Sequence, residues 1–505
     1  EATRHHKAAK KLTERTRKND YFRWSGQFLV TGLFLENRLR AMETVSNIDY
    51  QAEPPKGDLH ALYKSEGARI AFTAEVVRAF SVAVWADITK GISLCLRVAR
   101  SDALPSAEDR HSIEKMSKFR TIEDEGDGMK SYVATCVSVL LGRRPVNVID
   151  EPEMCLHPPQ AYNLGQFIGN HAASTETATF VATHSSQVLR GVIQTAENLK
   201  IVRLSKNENG FHAKQVNSGI LAEAMKKPTV RAETVLDGIF SQAVTIIEGD
   251  GDRIVYQATW EKVGENLNFD IHFTAVGGIG GIADTCQLYR VLGIPVAVIA
   301  DLDLITDTTK IEQILDILCG DPTIVTELLQ RIHKIAKAIR LLPPTISEED
   351  AIAKLKLFAG QTYNWDGGDD KALRSELNDL SNSLNGMRDF KDGGLRNLPA
   401  EIRDPLKILL DDLERLGIFL VRYGELEDWL YGCGIKESKK RNKWAWANEA
   451  AHYIRENEPQ QDDIWDFVRR LGDSLTTQVH EIAGAELEEV KTPDSDPKGV
   501  TTSAP

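Results

Sequence analysis

Two short runs constrain this chain more than any others: "AVTIIEGD" (243–250) and "IPVAVIADLD" (294–303). Each is a β-branched, apolar strand pattern that ends in carboxylates. Helical patterns alternate with such runs, and strands alternating with helices imply an α/β fold with a mainly parallel sheet. Ligands bind such sheets beyond the carboxyl ends of the strands, which is where Glu248, Asp301 and Asp303 fall. The same pattern continues in "HFTAVGGIGG" (272–281) and "GIFLVRYGELEDWL" (417–430), both read as strands, the second carrying Glu425, Glu427 and Asp428.

A chain of 505 residues, 42% of them hydrophobic, can bury the cores of two or three domains. Residues 1–235 mix helices with strands and close on a hairpin, "LKIVRLSKNENGFHAKQV" (199–216), turning at Asn207 to Gly210. Residues 236–485 form a second domain, interrupted at about 308–412 by a helical insertion containing the loop "GQTYNWDGGDD". Residues 486–505 have the Pro, Ser, Thr and Asp content of a disordered tail. The six cysteines show no C-x-x-C spacing, which argues against a zinc site or disulfide framework and for a reducing compartment, the cytoplasm. No apolar run approaches the roughly 20 residues of a membrane span, and the basic, polar first twenty residues lack a signal-peptide core. A formal charge of −13 requires any nucleic-acid partner to meet a local basic surface or bound cations.

In the first domain, "RRPVNVIDEPEMCLHPPQ" (143–160) reads as a buried strand over Val146 to Ile149 that presents Asp150 and Glu151 at its carboxyl edge. There Asp150 would hold Mg²⁺ through water and Glu151 would orient an attacking water. "ATFVATHSSQVL" (178–189) adds a second strand ending at His184, placed to reach a γ-phosphate. Upstream, the turn Gly126, Asp127, Gly128, Met129 opens an apolar helix whose N-terminal N–H groups suit an anion. Taken in order, these three elements resemble the C-terminal half of an ABC-type ATPase of the chromosome-maintenance and DNA-repair kind. The resemblance makes Gly126 to Met129 the signature, Asp150 and Glu151 the Walker B pair and His184 the switch histidine, and implies ATP with Mg²⁺ and a homodimer or larger even-numbered assembly. No G-x-x-x-x-G-K-[ST] loop occurs: "EGDGMKS" has the wrong spacing, and Gly26 and Gly32 have no lysine after them. The P-loop is expected in an N-terminal segment preceding this chain, the alternatives being a second chain that supplies it or a degenerate site.

In the second domain, Glu248 ends a strand, Gly249 turns the chain and Asp252 lies on the first turn of a helix. Asp301 and Asp303 are expected on one face of the neighbouring strand end, since strand side chains alternate with a period of two. Acids so gathered ionise cheaply only around cations, and hard oxygen ligands select Mg²⁺ or Mn²⁺. Gly277, Gly278, Gly280 and Gly281 read as a tight turn near the metals, not as a dinucleotide loop. A strand-end Glu-Gly followed by Asp-x-Asp resembles the TOPRIM fold of topoisomerases, primases and some nucleases. Directly after an ABC-type ATPase, and with the "GELED" motif, it resembles the overcoming-lysogenisation-defect (OLD) nucleases, including the nuclease of Gabija-type phage defence. The resemblance implies two metals held by Glu248, Asp252, Asp301 and Asp303 with Glu425 and Glu427, and a lysine after the last acidic motif. Lys443 is chosen among Lys436, Lys439, Lys440 and Lys443, the alternative being that this run is a solvated basic face. It further implies ATP-regulated cleavage of DNA in anti-phage defence or DNA processing, with a separate defence protein as a partner. RNA such as tRNA stays open as substrate, because metal-ion cleavage needs no base contact. A non-catalytic nucleotide sensor or scaffold is the rival of another class and leaves the second acidic cluster unexplained.

Overall fold

The computed structural model describes residues 29–491 apart from 107, 173–176, 208–209, 217–225, 228–229, 231–232, 266–268, 344–346, 361–372, 376, 379–380, 382–389, 392, 431–434, 436–441 and 460–462. Two compact units meet between Leu199 and Lys200.

Unit 1 contains β1 (Val30–Leu33), β2 (Val45–Ser46), β3 (Val82–Asp87), β4 (Ser93–Arg100), β5 (Arg120–Thr121), β6 (Val146–Asp150) and β7 (Ala178–Ala182). Its main helices are α1 (Leu35–Arg40), α2 (Glu66–Phe80), α3 (Asp127–Leu141), α4 (Pro158–Ala172) and α5 (Ser186–Thr195). β1, β6 and β7 form a parallel sheet in the order β1-β6-β7, and β2, β4 and β3 form an antiparallel one to which β5 adds at β4. Every residue from Ser131 to Val139 of α3 is buried, so this helix is the spine of the unit; Gly142, at φ 50°, ends it in the left-handed region that glycine favours. β6 is not apolar throughout, contrary to its reading as a uniformly buried strand: Asn147 and Ile149 are buried while Val146 and Val148 are half-buried, and Asn147 donates to the Ser138 carbonyl of α3 at 3.5 Å.

Unit 2 contains the hairpin β8 (Ile201–Asn207) and β9 (Gly210–Val216), then β10 (Ala243–Ile247), β11 (Ile271–Ala275), β12 (Val296–Ala300) and β13 (Ile418–Leu420). Its main helices are α6 (Asp250–Val263), α7 (Ile282–Leu292), α8 (Thr308–Leu318), α9 (Pro322–Arg340), α10 (Glu348–Ala359), α11 (Ala400–Arg415), α12 (Lys443–Glu456) and α13 (Ile464–Lys491). The sheet is wholly parallel in the order β11-β10-β12-β13. Every residue of β10, β12 and β13 is buried, as strands covered by helices on both faces require. Among the described residues no helix is long and apolar enough to cross a membrane.

Four expectations change. The hairpin belongs to unit 2, because Arg203 donates to the Ser241 carbonyl at 3.1 Å and the Gly293 carbonyl at 3.5 Å, and Lys214 lies across Gly293. The boundary therefore precedes the hairpin instead of following residue 235. β12 stops at Ala300, so Asp303 sits in a 3-10 turn, Leu302–Thr306, and the same-face argument from strand alternation does not apply. β13 is only three residues long; Gly424, at φ 97°, breaks the chain, and "GELED" falls in a turn and a 3-10 segment, not on a strand. Finally, α13 runs to Lys491, six residues into the expected tail, the rest of which lies outside the described residues, as do residues 1–28 with Gly26.

Candidate active sites

The carboxyl edge of the unit 2 sheet gathers the acids. Glu248 follows β10; Gly249 starts α6 and Asp252 stands in its first turn. The next crossover returns beneath Glu248: Gly278 N–H donates to the Glu248 carbonyl at 2.9 Å from a turn in which Gly277 and Gly278 have φ of 70° and 127°. Side chains rarely adopt such angles, so this turn explains the glycine run. Asp301 caps the turn that carries Asp303, and Leu302 N–H donates to the Gly424 carbonyl at 3.1 Å, which ties this turn to the segment bearing Glu425 and Glu427. Burial, then Asp303 and Asp252, raise the Glu248 carboxyl above the usual range against the opposing pull of Lys443 and Lys310. Tyr256, fully buried, is pushed well up by burial and then by Asp252, Asp301 and Glu427. Its hydroxyl has no hydrogen-bond partner among the described residues. Acids that follow three strands thus come within electrostatic reach of Glu248 or Tyr256 at a single edge.

Two lysines balance them. Lys443 starts α12, whose N-cap Asn442 accepts from Ala445 N–H at 3.1 Å, and its Nζ lies 3.5 Å from Asp252 Oδ2. Two glycines leave it room. A Cβ on Gly251 would stand 2.9 Å from Lys443 Cε, and one on Gly249 would stand 3.2 Å from Nζ and 3.0 Å from Asp252 Oδ2. Lys436, Lys439 and Lys440 lie outside the described residues. The second lysine, Lys391, was not anticipated: it comes from the far end of the helical insertion and its ammonium pairs with Asp303. Nothing in the local sequence marks it, because the pairing joins residues far apart in the chain. Every candidate ligand is a carboxylate, the donor chemistry a hard divalent cation requires. Among the described residues, however, no three Asp, Glu, His or Cys side chains converge into a ready cage.

At the carboxyl edge of β6, Asp150 ends the strand and Glu151 turns away at φ 45°. His184 Nδ1 lies 3.2 Å from Glu151 Oε1 and 3.4 Å from Glu153 Oε1. Glu153 also accepts from the Thr183 hydroxyl at 2.8 Å and the His184 N–H at 3.1 Å, so it staples the end of β7 to the turn after β6. The third acid of "DEPE" was visible in the sequence without a role. Arg38 of α1 was missed altogether. Fully buried, its guanidinium donates to Ser131 Oγ at 2.8 Å, to the Leu33 carbonyl, and to the Asp150 and Glu151 carbonyls at 2.5 and 2.9 Å. It thereby joins β1, β6 and α3. Burial holds its pKa below the usual arginine value even though Asp150 and Glu153 oppose this. Gly126 faces open space and Asp127 is exposed, whereas a Cβ on Gly128 would stand 2.3 Å from the Cys155 carbonyl; Met129 packs against the core.

Comparison with known families matches residues 239–303 to "Overcoming lysogenization defect protein-like, TOPRIM domain" and residues 54–190 to "AAA domain, putative AbiEii toxin, Type IV TA system". The chain is 23% identical over 298 residues to the Old nuclease of Escherichia phage P2, an alignment covering 56% of this chain and 49% of that protein. It thus spans about half the length of the curated relative it matches. Among solved structures, the C-terminal region of the Xanthomonas campestris pv. campestris OLD protein is 18% identical, covering 50% of this chain and 98% of that one at a TM-score of 0.20. One described as "Structural biochemistry of ATP-driven dimerization and DNA stimulated activation of SMC ATPases" is 13% identical, covering 33% and 95% at a TM-score of 0.23. An ATPase domain match followed by an OLD-like TOPRIM domain match, with the Old nuclease of phage P2 as a relative, supports placing this chain with the OLD family.

Proposed function

We propose that this chain is a metal-dependent DNA endonuclease whose cleavage is regulated by the attached ATPase domain. The observation that carries the reading is the acidic edge of unit 2, where Glu248, Asp252, Asp301 and Asp303 meet Lys443. The kinship with a phage nuclease supports it. These four acids, with Glu425 and Glu427, would hold Mg²⁺ or Mn²⁺ there, and the bound cation would supply Lewis-acid activation of water and stabilisation of the leaving oxygen. Lys443, with its stem fixed against Gly251 and its ammonium beside Asp252, neutralises charge gathering on the phosphate. The acids would repel DNA on their own, so metal loading and substrate binding are linked.

In the ATPase domain, Asp150 would serve the nucleotide's Mg²⁺, Glu151 would orient water, and His184, held by Glu153, would serve the γ-phosphate. Gly126 to Met129 complete the site of a second subunit, giving a homodimer or larger even-numbered assembly. A role in phage defence or DNA processing in the cytoplasm follows from this reading.

The test is plasmid nicking with Mg²⁺ or Mn²⁺, with and without ATP, in parallel with a tRNA substrate. Asp301→Ala and Glu248→Ala are expected to abolish nicking without unfolding the chain; full activity in either overturns the nuclease assignment. Glu151→Gln should change the ATP dependence of nicking in protein shown to bind ATP. Identical ATP-independent rates would mean that the domains are only tethered, and a monomer at micromolar concentration with nucleotide bound would overturn the composite site.

A further inference from the structure

The insertion does more than decorate the sheet: the stretch around Lys391 is fastened to the acidic edge. Phe390 is buried, and Gly424 approaches the Lys391 carbonyl so closely that a Cβ there would stand 2.1 Å away. Gly394, at φ 55°, lies against the Arg422 carbonyl, and Leu395 N–H donates to that carbonyl at 3.0 Å. Gly424 in turn accepts from Leu302 N–H at 3.1 Å, within the turn that bears Asp301 and Asp303. The backbone around Lys391 is therefore held on both sides, and its side chain pairs with Asp303 while standing in the field of Glu425 and Asp301.

We propose that Lys391 is a built-in counter-cation for the metal ligands: its ammonium holds Asp303 when no metal is bound and must leave that carboxylate for a divalent cation to take it. The inference rests on the metal reading above and deepens it. Lys391 is a positioning residue and not a catalytic one, and it sets how much divalent cation the site needs. Lys443 cannot substitute, because its own contact is with Asp252 at 3.5 Å. The same geometry couples the insertion to the metal site, since any movement of the insertion would move Lys391 and so change the metal requirement.

The experiment measures Mn²⁺ binding to the full chain by electron paramagnetic resonance and calorimetry, without substrate, for wild type, Lys391→Met, Lys391→Arg and Asp301→Asn. Lys391→Met is expected to tighten Mn²⁺ binding roughly fivefold, the scale of one partly exposed ion pair. It should also lower the melting temperature of the metal-free protein, with the loss recovered at saturating Mn²⁺. Lys391→Arg, which keeps the charge, should restore both values. Unchanged or weaker Mn²⁺ binding in a folded Lys391→Met protein overturns the proposal. If the wild-type chain shows no Mn²⁺ binding that Asp301→Asn removes, the metal reading itself fails, and this inference fails with it.

Discussion

Gly251→Ala tests whether the exact path of Lys443 matters. Gly251 is buried within α6 at an ordinary helical backbone angle, so alanine meets no conformational penalty and gains up to about 1 kcal/mol of helix propensity. The new methyl would nevertheless stand 2.9 Å from Lys443 Cε and 3.2 Å from Cγ. Ordinary carbon contacts lie near 3.5–4.0 Å, so the lysine stem must retreat by about 0.5–1 Å. Only a flexible side chain has to move, so the fold should lose little. The ammonium would leave its place beside Asp252, and a misplacement of that size at a reacting centre costs up to about 100-fold in rate, or about 2.7 kcal/mol of barrier. The expected result is a melting temperature within a few degrees of wild type, unchanged Mn²⁺ binding, and nicking slowed about 10- to 100-fold. Single-turnover nicking with saturating Mn²⁺, beside a thermal melt, measures both. A wild-type rate, or a rate lost only in step with stability, would refute the role given to Lys443.

Three further substitutions probe other parts of the argument. Glu248→Gln should abolish nicking yet stabilise the metal-free chain at pH 7. The folded-state pKa of Glu248 is raised by burial, Asp303 and Asp252, so wild-type stability falls as pH rises from the usual glutamate range through that raised value, and the penalty is complete above it. Melts in chelator across pH should show this limb flattened in the variant, and an unchanged limb would count against the electrostatic account. Arg38→Ala removes the guanidinium that serves three carbonyls and a buried hydroxyl and should cost roughly 3–5 kcal/mol in denaturant unfolding; a loss below about 1 kcal/mol would mean that the clamp is dispensable. Glu151→Gly relieves a left-handed backbone at φ 45° and should stabilise by about 1 kcal/mol in denaturant unfolding; destabilisation would mean that this backbone is not strained.

How far the sequence reached depended on the range of the interactions involved. The runs ending at Glu248 and Asp301 were legible because a strand buried on both faces must be apolar throughout, and β10 and β12 are buried along their whole length. The glycines at 277 and 278 were legible because a turn with positive φ demands them. The position of Asp303 was misjudged by a local rule applied too far along the chain, since strand alternation ends where β12 ends, at Ala300. The hairpin was assigned to the wrong unit because its strand pattern is independent of what it packs on; Arg203 and Lys214 choose that partner through contacts some 80 to 90 residues away.

Composition and periodicity by themselves determined that the chain is α/β and that acids end its buried strands, whereas the nucleotide roles of Asp150, Glu151 and His184 come from resemblance to ABC-type ATPases. Only the tertiary structure decided which charges meet. Arg38 reaches across 112 residues to the Asp150 carbonyl, Lys443 across 191 to Asp252, and Lys391 returns from the insertion to Asp303. An isolated lysine or arginine reads the same whether it ends in solvent or against a carboxylate. Its partner is selected by the packing of elements far apart in the chain, and no local pattern encodes that choice.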